Sequence, residues 1–463
     1  MKNKVALFLG PLAFFIVLLI APPGAASSVV AVLLWMLIWW MTEVVNLAVT
    51  ALLPLVLFPI LQVGTLKEIA ANYAHPIVYL FFGGFVLALA IEKWNLHKRI
   101  ALNIILKTGI DSRRVLLGFM IATAFLSMWI SNTATTIMML PIALSVLNVV
   151  KVSPEVENRM SFILLVGVAW SANIGGMMTL IGTPPNLIFA GFLKEQLHTE
   201  IAFSHWLIIG LPTGITLLLA AYSFLSRFVP KVLLFNEHNV IQDELTKLGK
   251  MSLQEKRVTV VFVSTALAWI LRPFVVSHFS LEGLSDTTIA LVCAIVLFVL
   301  PGTKKERLLK WSDTSKLAWG ILVLFGGGLA LAGAIKSSGI IDLIEVYLSA
   351  LEVSNVIVLI AIMTLIGIFV TELVSNMALV AATLPLVYAV SSSMNVDFEL
   401  LALPLTLGAS CAFMLPMATP PNAIVFSSGK IRIEKMARFG LVMNVFAFII
   451  LTGLAYLLGS YVL

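Results

Sequence analysis

Two polar motifs recur in the same order inside otherwise apolar sequence, and this recurrence constrains the fold more than any other feature of the chain. Ser131-Asn132-Thr133 returns as Ser375-Asn376-Met377 at an offset of 244 residues, and Thr183-Pro184-Pro185-Asn186 returns as Thr419-Pro420-Pro421-Asn422 at an offset of 236. The spacing between motifs is 52 residues in the first half (Ser131 to Thr183) and 44 in the second (Ser375 to Thr419). A Pro-Pro break or a Ser-Asn turn leaves helical backbone groups unpaired, which hydrocarbon tolerates only around a protein-lined cavity. Interruptions at matching positions in two halves place such a cavity at a repeat interface, the arrangement of a secondary transporter.

Composition narrows the class further. Of 463 residues, 60% are hydrophobic and 11% charged, against roughly 25% charged in a soluble domain. The length accommodates about a dozen spans of roughly 20 residues and leaves no room for a large soluble domain. The net charge of +6 does not indicate a nucleic-acid partner, because the basic residues are scattered through short loops. Cys293 and Cys411 lie in apolar segments and read as small buried thiols. The six histidines have no metal-ligand spacing, and no nucleophile–base pair stands in the apolar sequence, so an enzyme is disfavoured. The N-terminus, with Lys2, Lys4 and an apolar run to Ile20, resembles a signal peptide, and Ala25-Ala26-Ser27 mimics a cleavage site. In a polytopic chain this segment is expected to stay as a signal anchor.

Apolar segments of spanning length fall near 5–21, 27–43, 45–62, 76–92, 203–227, 257–275, 284–301, 317–335 and 437–462. Two more, 160–190 and 400–427, carry the Pro-Pro breaks, which makes 11 crossings. The stretches about 115–150 and 357–393 each consist of two short arms joined at the Ser-Asn motif. Arms of about 15 residues fall short of a hydrocarbon core of roughly 30 Å, so re-entrant hairpins are predicted there. With the N-terminus inside, this layout puts 25 of the 29 Lys and Arg on the cytoplasmic side, leaving only Lys67, Lys194, Arg272 and Lys336 outside. The expected fold is an all-α polytopic membrane protein of 11 transmembrane helices plus two re-entrant hairpins. Residues 27–228 form a first repeat and 257–463 a second of inverted topology. The C-terminus is extracytoplasmic, and the bilayer is the inner (plasma) membrane. Residues 93–109 read as an amphipathic interfacial helix, with a counterpart at about 336–351 that carries Asp342 and Glu345. Phe82-Gly83-Gly84 and Phe325-Gly326-Gly327 correspond at an offset of 243 and predict close helix packing.

A Ser-Asn tip offers a hydroxyl, an amide oxygen and freed carbonyls, hard ligands suited to sodium. It also exposes the N–H groups at the start of the returning arm, which favour an anion. No Lys or Arg falls near either tip or either Pro-Pro break in sequence. A dianion held there needs helix N-termini and bound cations for balance, which gives a physical reason for sodium coupling. Glu43 and Glu372 are carboxylates within apolar sequence, functional candidates on that ground. His75 and His205 sit at segment ends and read as interfacial.

The block from Ala409 to Val425, Ala-Ser-Cys-Ala-Phe-Met-Leu-Pro-Met-Ala-Thr-Pro-Pro-Asn-Ala-Ile-Val, resembles the signature of the divalent anion:sodium symporters, the INDY-type dicarboxylate transporters. Trp40-Met41-Thr42-Glu43, Ser131 to Thr136 and Thr371-Glu372 resemble other segments of that family. The resemblance covers nearly the whole chain. It implies sodium-coupled symport of a C4-dicarboxylate such as succinate by a homodimer, each protomer moving a transport domain against a scaffold as an elevator. A sulfate symporter or a sodium-independent dicarboxylate exchanger of the same fold is the alternative. The resemblance further implies one sodium near Ser127, Ser131, Asn132 and the Gly182 carbonyl, and a second near Thr371, Ser375, Asn376 and the Ala418 carbonyl. Substrate carboxylates are expected between the tips, touching Asn132, Thr133, Thr183, Asn376 and Thr419. Met377 completes this set of six as its one departure, standing where many bacterial members carry Thr.

Overall fold

Apolar runs of this kind become helix because backbone in hydrocarbon has to bond to itself. In the computed structural model, which describes residues 2–109, 111–149, 153–230, 240–281, 283–302, 306–340 and 355–462, the regular elements are helical apart from a one-residue bridge between Pro301 and Arg307. Helices α1 (Lys2–Ile20) and α2 (Ala25–Thr42) precede a third apolar run that divides into α3 (Leu47–Thr50) and α4 (Leu53–Ile60). A short α5 (Leu66–Ala71), opened by a Thr65–Glu68 capping box, leads to α6 (Pro76–Lys93). Then come α7 (Leu96–Thr108), α8 (Ser112–Ser127), α9 (Asn132–Val149), α10 (Pro154–Met178), α11 (Pro184–Leu197) and α12 (Phe203–Ser226). The second half runs through α13 (Val240–Leu248), α14 (Leu253–Phe279), α15 (Asp286–Val299) and α16 (Trp319–Ser337). It continues with α17 (Val356–Val370), α18 (Asn376–Met394), α19 (Phe398–Ala409), α20 (Pro420–Phe426) and α21 (Ile433–Val462). Among the described residues, eight helices are long and apolar enough to cross a membrane.

The internal repeat is visible in where helices begin. Starts at Ser112, Asn132 and Pro154 recur 244 residues later at Val356, Asn376 and Phe398. In each half the first arm lies along the broken helix, α8 on α10 and α17 on α19. The shorter motif spacing of the second half falls within the broken helix: α10 has 25 residues and α19 only 12, while the interruption lengthens from 179–183 to 410–419. The Pro-Pro pairs do more than break a helix. Both occupy the first turn of a new one, α11 and α20, where a missing N–H costs nothing and φ is already helical.

One expectation changes. The returning arms α9 and α18 have 18 and 19 residues, longer than the 15 or so predicted, because Pro141 and Pro385 lie within them without ending them. On length and composition Asn376–Met394 alone suffices to cross a bilayer, so arm length does not distinguish a hairpin from a span. The predicted interfacial helix is α7. It buries Leu96, Ala101, Leu102 and Ile105 and is tied to the following elements by Lys98–Glu244 at 2.8 Å and Arg99–Glu255 at 2.7 Å. Lys247 and Lys98 hold the Glu244 carboxyl down to about 2, so this joint keeps its charge at neutral pH. The proposed counterpart helix, with Asp342 and Glu345, lies largely outside the described residues. The glycine pairs do mark close packing: a Cβ on Gly83 would stand 2.6 Å from Ala290, and one on Gly327 would stand 2.7 Å from Ala51 Cβ and closer still to its carbonyl oxygen. Cys293 and Cys411 are free and buried.

Candidate functional site

The two Ser-Asn tips are built from the same contact. Ser127 Oγ donates to Asn132 Oδ1 at 2.7 Å, and Thr371 Oγ1 donates to Asn376 Oδ1 at 2.7 Å. The Thr371 hydroxyl also lies 2.8 Å from the Ala409 carbonyl. Ser131 Oγ accepts from Ala134 N and caps α9, whereas Ser375 makes no side-chain cap on α18.

The broken helices explain the remaining polar residues, since each unpaired backbone group within the membrane needs a partner. Asn186 donates to the carbonyls of Gly176, Met177 and Thr179, the closest at 2.8 Å, and Asn422 donates to those of Ala412 and Leu415, each at 3.0 Å. The asparagine of each Thr-Pro-Pro-Asn motif therefore reaches back to the carbonyls that its own break releases. The longer second break frees N–H groups as well, and here Glu372 acts. Its carboxyl oxygens accept from Phe413 N at 2.8 Å, Met414 N at 2.9 Å, Leu415 N at 3.0 Å and Asn444 Nδ2 at 3.0 Å, with the residue 3% exposed. The corresponding position in the first half is Met128, at a break half as long. Trp170 Nε1 donates to Phe413 O at 3.1 Å, and Asn173 donates to Ala412 O at 3.2 Å and Thr419 Oγ1 at 3.1 Å. These two residues of α10 thereby fasten the first half to the second. Asn173 and Asn444 carry no motif, and an amide in apolar sequence was the only signal that could have found them.

Both tips and both breaks line one cavity of about 930 Å³. All six residues expected at the substrate, Asn132, Thr133, Thr183, Asn376, Met377 and Thr419, are on its wall. Of those expected at sodium, Ser131, Gly182, Ser375 and Ala418 line it too, while Ser127 and Thr371 are buried behind the two asparagines. Met377 both faces the cavity and packs against the core. Glu43 reaches the same wall, whereas Glu372 stands behind it as a holder of backbone. Sequence proximity missed Lys316: remote from the tips along the chain, it lines this cavity with Glu92.

Helices α9, α11 and α18 begin on the wall, and short α20 adds its first turn. A helix N-terminus carries roughly +0.5 of an elementary charge, so three supply about 1.5 against the two charges of a dicarboxylate. The oxygens at each tip suit a hard cation, and the first tip is closely packed from behind. A Cβ on Gly176 would stand 2.5 Å from Asn132 Oδ1. Among the described residues, no group of three His, Cys, Asp or Glu is placed to hold a metal ion.

Two related halves that bring paired tips and helix N-termini to one cavity define a repeat-built membrane transporter. The chain belongs to the family described as the sodium:sulfate symporter transmembrane region, whose model it matches over residues 2–463. It is 40% identical over 431 residues to the sodium-dependent dicarboxylate transporter SdcS of Staphylococcus saprophyticus, covering 90% of this chain and 83% of that one. The SdcS of Staphylococcus aureus strain bovine RF122 is 39% identical over 434 residues, with coverage of 90% and 82%. Among solved structures, MtrF of Neisseria gonorrhoeae, described with a class of antimetabolite efflux pumps, aligns with a TM-score of 0.58 at 14% identity over 84% of this chain and 83% of that one. The YdaH transporter of Alcanivorax borkumensis aligns with a TM-score of 0.57 at 13% identity, over 86% and 88%. At such identity these two speak for the fold alone.

Proposed function

We propose that this protein is a sodium-coupled symporter of C4-dicarboxylates, succinate-like divalent anions, working by elevator-type alternating access. The observation that carries this reading is the single cavity into which both oxygen-rich tips and three helix N-termini point, with no basic residue at either tip. The names of the two relatives supply the substrate class and the coupling ion, and their similarity over nine-tenths of the chain favours dicarboxylate over sulfate. Sodium then sits at Ser127, Ser131, Asn132 and Gly182 and at Thr371, Ser375, Asn376 and Ala418, with the carboxylates between Asn132, Thr133, Thr183, Asn376, Met377 and Thr419. The cations complete a charge balance that helix termini alone leave short. Counting each broken helix and the α3–α4 pair as one crossing, the helices give 11 crossings, with α8–α9 and α17–α18 as hairpins. The N-terminus is then cytoplasmic and the C-terminus extracytoplasmic in the plasma membrane. Glu92 and Lys316 lie on the cytoplasmic side in that layout, so the cavity is the inward-facing one. Family membership supports a homodimer. Competition of sulfate, citrate and malate against labelled succinate tests the substrate: displacement by sulfate at concentrations where malate fails would transfer the assignment to the sulfate alternative.

Met377 sets a selectivity prediction. A thioether donates no hydrogen bond, and Met377→Thr adds a donor facing a charged acceptor, worth roughly 1.5–3 kcal/mol before the hydroxyl's own desolvation is subtracted. Tighter dicarboxylate binding, or acceptance of a more highly charged anion, is expected with sodium dependence unchanged. Apparent affinity and thermal stability of the same variant are the readouts. Lower stability with an unaltered substrate profile would make Met377 a packing residue only.

A further inference from the structure

The cavity is far larger than the tips require. At about 930 Å³ it lies near the top of the roughly 300–1,000 Å³ found for sites that enclose drug-sized ligands, so much of it is passage. A second chamber of about 560 Å³ shares Leu89, Glu92, Ala134, Ile137 and Lys316 with it. Lys316 thus stands where the two spaces meet. Of the basic residues around them, Lys93 is neutralised by Asp313 at 2.7 Å. Lys316 is exposed and, among the described residues, has no ion pair within 4 Å, although the carboxylates of Glu92 and Asp313 lie near enough to interact with its charge. It is the basic side chain on the wall of the tip cavity, which also carries the carboxylates of Glu43 and Glu92.

We propose that Lys316 is a transient carboxylate-binding station on the path between the tips and the mouth, with neighbouring Glu92 keeping the hold weak. This inference rests on the transport reading above. A dianion leaving the tips separates from the sodium ions and helix N-termini that balanced it, and meets two glutamates in a confined space. Without a cation on the wall that step is uphill. The ammonium of Lys316 lowers the barrier, because charge lining a low-dielectric cleft raises the local concentration of the opposite ion. A station without opposition would trap its anion, and the repulsion of Glu92 shortens the stay. Lys316 is therefore a guiding residue for one face of the membrane, distinct from the site at the tips.

The test compares zero-trans uptake of labelled succinate by inside-out and right-side-out vesicles from cells that express the full chain. Lys316→Gln is expected to raise the half-saturation concentration on the cytoplasmic face relative to the opposite face about five-fold at low ionic strength. Choline chloride should erode that ratio by screening. Glu92→Gln is expected to move the ratio the other way, which loss of folding cannot do, and Lys316→Arg should stay near the wild type. Absence of sodium-dependent uptake by the wild type would overturn the transport reading itself. Wild-type transport with the face ratio unmoved by Lys316→Gln, or with both charge-removing variants moving it in the same direction, would overturn the station and leave the transport reading standing.

Discussion

Asn132→Ala and Asn376→Ala should each abolish sodium-driven dicarboxylate uptake while leaving folded protein in the membrane. Each asparagine is positioned to serve two ligands, because its Oδ1 accepts from Ser127 or Thr371 on one side while the residue lines the cavity on the other. On the proposed assignment, truncation removes a sodium ligand and a substrate contact together. Hydrogen bonds to charged groups contribute roughly 1.5–3 kcal/mol each, so two lost contacts amount to about 3 kcal/mol or more, at least 100-fold in occupancy. Folding is spared because the Ser127 hydroxyl, at the end of α8, can turn to a carbonyl one turn back, while the Thr371 hydroxyl already has the Ala409 carbonyl at 2.8 Å. Size-exclusion profile and transport rate of the same preparation check both halves of the prediction. A well-folded Asn132→Ala protein that still transports would remove the first tip from the site.

Glu372→Ala is expected to damage the fold itself. The carboxyl group accepts from three consecutive backbone N–H groups and from Asn444, with Phe413 and Asn444 buried and Met414 and Leu415 half-buried. Leaving one buried donor unpaired costs roughly 1–3 kcal/mol, and four in a membrane interior therefore cost several kcal/mol. Thermal unfolding in detergent should shift far more for Glu372→Ala than for Asn376→Ala. Glu372→Gln, which keeps one acceptor oxygen, should fall between them. Equal stability of Glu372→Ala and the wild type would mean that water replaces the carboxylate at the second break.

The repeat and the cavity were legible in sequence because their signals are local: polar motifs in apolar runs, copied in the same order at offsets of 244 and 236. Asn132 and Asn376 could be found that way, and so could the Pro-Pro breaks. Arm lengths were misjudged because proline usually ends a helix, whereas Pro141 and Pro385 are accommodated within α9 and α18. The partners of the freed backbone were not legible. Asn173, Trp170 and Asn444 act across 72 to 246 residues of sequence, and no spacing rule connects them to the break they stabilise. Lys316 was hidden for the same reason. Distance along the chain placed it far from the tips, while the fold brings it to the same wall.

The central claim is that sodium supplies charge which three helix termini cannot, so that the dianion and the cation enter together. Purified protein in liposomes, given labelled succinate with an inward sodium gradient or with choline in its place, tests this directly. The account predicts concentrative uptake with sodium, stimulation that saturates with sodium concentration, and no uptake above protein-free liposomes in choline. Succinate uptake at the full rate in choline would contradict it.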